Sequence, residues 1–122
     1  MIDLREIKTI AVVGASNNSE KVGFQIVKNL KQRNYKVFPI NLKEKEIQTL
    51  KVYPDLSSLP ERPDLVDIVV PPPVTLEVVK EALNLDIKNI WIQPGAESEE
   101  VIRLLKQHPE VNVVSQSCIM MN

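Results

Sequence analysis

Five short runs built largely of Val, Ile and Phe punctuate this chain, and the stretches between several of them carry apolar residues at helical spacing. The runs are Thr9 to Val13, Lys36 to Ile40, Val66 to Val70, Asn89 to Ile92 and Asn112 to Val114. A strand that is apolar at consecutive positions, not at alternate ones, is covered on both faces, as in a parallel sheet flanked by helices. The helical segments agree. Val22 to Arg33 carries Gly23, Ile26, Val27 and Leu30 on one face, Ser98 to Gln107 carries Val101, Leu104 and Leu105, and Val74 to Leu85 lies between two strands. Right-handed crossovers then predict an α/β fold: a Rossmann-like, doubly wound five-stranded parallel sheet, three-layer αβα, with strand order 3-2-1-4-5. A length of 122 residues, 43% of them hydrophobic, suits one domain spanning residues 1–122.

Charge and composition exclude several function classes. Fifteen basic residues against sixteen acidic ones give a net charge of −1, with no basic run long enough to follow a nucleic-acid backbone. The apolar runs are strand-sized and Met1 to Glu6 lacks the apolar stretch of a signal peptide, so a soluble cytoplasmic protein without a membrane partner is expected. One cysteine and one histidine supply neither an internal disulfide nor a zinc site, and no metal is expected. Residues Leu50 to Pro54 read as a short extended piece, followed by a turn of helix near Ser57.

The strongest functional signal is the first strand running into Gly14-Ala15-Ser16, then a polar loop, then Gly23 at the front of a helix. A glycine lets backbone crowd a ligand, and the next helix aims its unpaired N–H groups and positive dipole end at the same spot, so this turn suits a phosphate. It departs from the dinucleotide fingerprint, because Ser16 stands where the second glycine belongs and the second strand ends in Asn41 in place of an acidic residue. The fold is favoured and NAD is not.

Ligands on such a sheet bind beyond the carboxyl ends of its strands, where three further segments converge: Asn41-Leu42-Lys43, Pro71-Pro72-Pro73 and Gln93-Pro94-Gly95. Three successive prolines read as a rigid extended segment without N–H groups that lines a pocket, or as a helix entrance. Lys43 and Lys21 could each add charge at an anion site or lie in solvent. Ser16 and Asn17 could donate to a phosphate or cap the first helix. Trp91 reads as core, whereas Gln93, a polar amide at a strand terminus, is the better ligand contact. Cys118 reads as an inert thiol, since the lone His108 falls at the opposite end of the sheet. No Ser/His/Asp set or paired carboxylates are visible, so the chain shows a ligand site and no catalytic apparatus.

Taken in order, Ile10 to Ser16, Asn41-Leu42-Lys43, Val70-Pro71-Pro72-Pro73, Trp91 to Ala96 and Cys118-Ile119-Met120 resemble the small CoA-binding proteins. These are similar to the CoA-binding domain at the N-terminus of the succinyl-CoA synthetase α subunit and of NDP-forming acyl-CoA synthetases. The resemblance covers nearly the whole chain and implies coenzyme A or an acyl-CoA as ligand. It implies CoA phosphates on Gly14, Ala15, Ser16 and Asn17, with added charge from Lys43. It further implies adenosine and pantetheine flanked by Val70, Pro71, Pro72 and Pro73, and pantetheine guided by Gln93, Pro94 and Gly95. Many relatives have proline where this chain has Leu42, which loosens the turn carrying Lys43. The larger synthetases keep their phosphorylated histidine in a second domain, so the resemblance implies binding without catalysis, with a homodimer or a separate catalytic chain as partner. The alternatives are an NAD(P) or nucleotide sensor on the same fold and a thiol-redox protein using Cys118.

Overall fold

A computed structural model describes residues 2–122. Its main sheet is formed by β1 (Thr9–Val13), β2 (Lys36–Ile40), β5 (Leu65–Ile68), β6 (Asn89–Ile92) and β7 (Asn112–Ser115), all parallel, in the order β2-β1-β5-β6-β7. The doubly wound five-stranded sheet is as the sequence predicts. Its order is not: counted along the chain these strands run 2-1-3-4-5, in place of 3-2-1-4-5. The reason lies at the outer edge of β2. Pro39 sits within that strand, and its carbonyl accepts from the Tyr53 N–H (3.0 Å) on the side away from β1. The same edge lacks a proline N–H, so no full strand can pair there. A two-stranded hairpin, β3 (Glu46–Ile47) and β4 (Leu50–Lys51), runs up to this edge instead, and Tyr53 makes a single parallel bridge to Ile40. The extended piece expected at Leu50 to Pro54 is this segment, and the expected turn is a 3-10 helix, Leu56–Ser58.

Two apolar layers cover the sheet. On one face α1 (Val22–Gln32) sets Ile26, Val27 and Leu30 against Ile10, Val12, Val37 and Leu65. On the other, α2 (Pro72–Asn84) and α3 (Glu99–Lys106) set Val79, Ala82, Val101 and Leu105 against Ala11, Val13, Val66, Ile68, Ile90 and Ile92. Each fully buried Ile or Leu contributes roughly 1.5–3 kcal/mol, so these two layers hold the sandwich together. Trp91 is core, as expected, with its indole N–H donating to the Ser117 carbonyl (2.7 Å).

Element ends differ from expectation in physically simple ways. The third sheet strand stops at Ile68, because Val70 already turns toward Pro71. Only Pro71 is extended (φ −59°, ψ 150°), whereas Pro72 and Pro73 form the first turn of α2. Their missing N–H groups are ones that a first helical turn leaves unpaired anyway. Ser98 is the N-cap of α3, its hydroxyl accepting from the Val101 N–H (3.2 Å).

One residue violates the apolar pattern. Asp67, in the middle of β5 between Val12 and Trp91, is fully buried, and neither carboxylate oxygen has a hydrogen-bond partner among the described residues. Burial holds its carboxyl well above the ordinary carboxylate range.

Candidate functional site

The β1–α1 turn is built on close backbone contact. Gly14 adopts φ +102°, and a Cβ there would stand 2.5 Å from the Val69 carbonyl oxygen. A Cβ on Gly23 would run into the Gly14 carbonyl oxygen, so the first turn of α1 rests directly on the strand end. Lys21 takes the N-cap position with no side-chain cap, and the Val22 and Gly23 N–H groups have no protein acceptor among the described residues. Unpaired N–H groups at a helix N-terminus are the feature that receives an anion.

Ser16 and Asn17 do not cap α1, which corrects one of their two sequence readings. The Ser16 hydroxyl accepts from the Asn18 N–H (3.0 Å), and Asn18 in turn accepts from the Glu20 N–H (3.0 Å). These two local turns shape the loop and leave the Ser16 hydroxyl proton free to donate. The Asn17 amide donates to the Glu44 carboxylate (2.8 Å) and the Glu46 carbonyl (2.9 Å), tying the loop to the hairpin.

Asn41 joins the loops after β1 and β2. Its amide nitrogen donates to the Ala15 carbonyl (2.9 Å), and its side-chain oxygen accepts from the Lys43 (2.8 Å) and Glu44 (3.0 Å) N–H groups. The turn that Leu42 was expected to loosen is therefore held by Asn41. Lys43 is exposed and has no ion-pair partner among the described residues.

From this corner a cleft of about 860 Å³ extends over the α2 face of the sheet. Gly14, Asn41, Lys43 and Val70 line it, together with Val74 and Val78 of α2 and the Pro54–Ser57 segment. That volume lies within the range of small-molecule and cofactor sites. The far wall is fixed by Glu81, whose carboxylate accepts from the Leu56 and Ser57 N–H groups (both 3.2 Å) and the Ser57 hydroxyl (2.8 Å). Sequence reasoning did not assign Ser57, Val74, Val78 or Glu81 to the site. The only signal was the helical spacing of Val74, Val78 and Glu81 directly after the prolines.

The remaining candidates stand apart from the cleft. Ser16, Asn17 and Lys21 lie on the α1 side of Gly14, and Pro71, Pro72 and Pro73 supply the start of α2 without lining the cavity. Pro94 and Gly95 are an exposed turn, with the Gly95 N–H donating to the Glu97 carboxylate (3.2 Å). Gln93 is only 2% exposed. Its amide nitrogen donates to the Cys118 sulfur (3.2 Å) and its oxygen accepts from the Ile119 N–H (3.0 Å), so its polar groups hold the C-terminal segment on the α1 face. Cys118 is thus half-buried beside an amide, while His108 pairs with Glu110 (3.3 Å) before β7 begins. Replacing Gln93 with leucine leaves the Ile119 N–H unsatisfied and should cost about 1–3 kcal/mol, read by urea unfolding, with CoA affinity as a second readout of any ligand role.

Among the described residues no helix is long and apolar enough to cross a membrane. A family model described as a CoA binding domain matches residues 8–122. The ADP-forming acetate–CoA ligase II of Archaeoglobus fulgidus is 39% identical over 103 residues, covering 80% of this chain and 15% of that protein. Subunit alpha of the ADP-forming acetate–CoA ligase II of Pyrococcus furiosus is 38% identical over 84 residues, covering 68% of this chain and 18% of that one. The chain therefore spans less than a fifth of the length of these curated relatives. Among solved structures, a conserved hypothetical protein from Pyrococcus furiosus superposes with a TM-score of 0.88 at 43% identity, over 93% of this chain and 97% of that one.

Proposed function

Because the chain belongs to the CoA-binding domain family, we propose that it binds coenzyme A or an acyl-CoA, without itself catalysing acyl transfer. The pyrophosphate sits at the β1–α1 turn, and the adenosine end lies in the cleft between Asn41–Lys43 and Val70–Val78. The observation that carries this reading is the unpaired Val22 and Gly23 N–H pair, packed against Gly14 at the mouth of that cleft. Backbone N–H groups and the helix dipole supply fixed positive charge there, the Ser16 hydroxyl can donate, and Lys43 brings a free ammonium to the same corner. The apolar walls at Val70, Val74 and Val78 suit a nucleoside face. Pro71, Gln93, Pro94 and Gly95 serve by positioning α2 and the C-terminal segment.

Acyl transfer needs a nucleophile and a base in hydrogen-bond reach, and among the described residues the Cys118 sulfur is hydrogen-bonded by the Gln93 amide, which is no base. Catalysis therefore belongs to a separate chain, by analogy with the subunit alpha relative. The same reading places the protein in the cytoplasm, where CoA esters are handled and a lone thiol stays reduced.

Calorimetric titration with CoA, acetyl-CoA, NAD and ATP tests the proposal. CoA or acetyl-CoA should bind in preference to the others. Replacing Ser16 and Lys43 together with alanine should weaken binding roughly 10–100-fold by removing a hydroxyl donor and a charge-assisted contact. An unchanged affinity would place the ligand elsewhere, and selective retention of NAD would favour the nucleotide-sensor reading.

A further inference from the structure

We propose that the β7 edge of the sheet is a docking surface for a second copy of this chain, paired antiparallel with the first across a two-fold axis. This rests on features separate from the CoA reading. The sheet ends at β2 on one side and at β7 on the other. Pro39 and the hairpin block the β2 edge, whereas β7 reads Asn-Val-Val-Ser, with no charge and no proline to keep a strand away. The Asn112 N–H donates to the Lys88 carbonyl (2.8 Å), so Asn112 and, two residues on, Val114 turn their backbone groups toward β6. The N–H and C=O groups of Val113 and Ser115 therefore face away from the sheet, and no strand pairs with them among the described residues. Unpaired backbone at a sheet edge is the template for strand addition. β5 is buried at every position, but no residue of β7 is fully buried. Val113 is half-buried on the α3 side and Val114 on the α1 side, so both faces of this edge have apolar surface left to cover.

What singles out a second copy is the flank of α3. Val101 and Leu105 of this helix are buried in the core, and Glu100, Leu104 and Gln107 line the groove it forms with α2. By helical spacing the flank away from α2 carries Glu99, Ile102 and Lys106, and the crossover from β6 to β7 sets that flank on the β7 side. Ile102 is half-buried and belongs to neither core layer. Glu99 and Lys106 are exposed, and neither is ion-paired among the described residues. A two-fold axis at Val114 pairs the outward backbone groups of Val113 with those of Ser115 in the second copy, and sets the two Val114 side chains against each other. The same axis lays the two α3 helices antiparallel, so Glu99 of each copy meets Lys106 of the other, with Ile102 against Ile102 between them. A surface whose charges and apolar centre match under a two-fold rotation is self-complementary, the condition for an isologous dimer.

The test is sedimentation velocity from micromolar to millimolar protein, with amide hydrogen exchange at both ends of that range. The patch is small, so a reversible dimer is expected that fills as concentration rises. The Val113 and Ser115 amides should exchange roughly tenfold more slowly in the dimer. Glu99→Lys and Lys106→Glu each turn both ion pairs between the copies into like-charge contacts, and each alone should weaken the dimer roughly tenfold, with the amide spectrum unchanged outside α3 and β7. Mixed in equal amounts, the two variants should associate as tightly as wild type, because each supplies the charges the other lacks. A protein that stays monomeric throughout, a dimer that leaves the Val113 and Ser115 amides unprotected, or a mixture no tighter than either variant alone would each overturn the proposal.

Discussion

Replacing Asp67 with valine should stabilise the fold by about 2 kcal/mol near neutral pH, raising the melting temperature by roughly 6–10 °C. The carboxyl is fully buried between Val12 and Trp91 and neither oxygen has a partner among the described residues. A buried polar group without a hydrogen bond costs about 1–3 kcal/mol, and valine adds apolar burial at a strand position that favours a β-branched residue. The extra methyl volume offsets part of that gain. The native carboxyl binds its proton more tightly than the unfolded one, because burial raises its pKa. Between the unfolded value near 3.9 and the raised native value, the unfolded state therefore holds fewer protons. Stability attributable to Asp67 is then fully present below the unfolded value and is lost as pH rises toward the native one.

Asp67→Asn separates the two effects, since it leaves a buried polar group but nothing to titrate. Urea unfolding across a pH series should show wild type losing ground to the asparagine variant as pH rises, by up to about 1.4 kcal/mol per pH unit within that window. The exposed carboxylates of Asp3 and Glu110, held below their ordinary values by Arg5 and by hydrogen bonding, are common to both proteins and cancel in the difference. A valine variant less stable than wild type at every pH would mean that the carboxyl is hydrogen-bonded through an internal water.

Asp67 also marks where the sequence was legible and where it was not. Apolar runs fixed β1, β2 and β6 to the residue, because β-branched side chains buried on both faces leave few other solutions. The same rule carried the third strand past Ile68 to Val70, since composition does not register where a strand bends away. The strand order had a readable signal that went unused: a proline inside the second strand requires a free edge, which the order 3-2-1-4-5 denies it. At the site, Gly14 and Asn41 were legible because turn chemistry is local. Gln93 was not, because its partners lie some 25 residues away at Cys118 and Ile119. The cleft's far wall was equally hidden, as the segment from Asn41 to Asp64 has no period and is placed by long-range bonds such as Glu81 to Ser57.

The other large effect is expected at the glycine contact beneath the proposed anion site. Gly14→Ala should destabilise the fold by about 3 kcal/mol or more and abolish CoA binding. Two costs combine there. The backbone at φ +102° is strained for any L side chain, at roughly 1–2 kcal/mol, and the new Cβ would stand 2.5 Å from the Val69 carbonyl oxygen, which belongs to rigid backbone. Relieving that overlap moves the end of β1 away from the residue following β5, where the Val69 N–H donates to the Val13 carbonyl (2.9 Å). Gly95→Ala is the matched control, since its φ is +92° but nothing lies within 4 Å of the added carbon. It should cost only the backbone strain, about 1–2 kcal/mol, with CoA affinity nearly unchanged. Gly23→Ala separates the terms the other way. Its backbone is ordinary and alanine gains roughly 1 kcal/mol of helix propensity, so any net loss reports the clash with the Gly14 carbonyl. That variant should lose about 1–2 kcal/mol and still lose most CoA affinity, because α1 can no longer rest its first turn on the strand end. Chemical unfolding then sets Gly14→Ala apart from the other two, and CoA titration separates Gly23→Ala from Gly95→Ala. A Gly23→Ala protein that binds CoA as tightly as wild type would show that the helix N-terminus need not approach Gly14, and would move the pyrophosphate from this turn to the Lys43 side of the cleft.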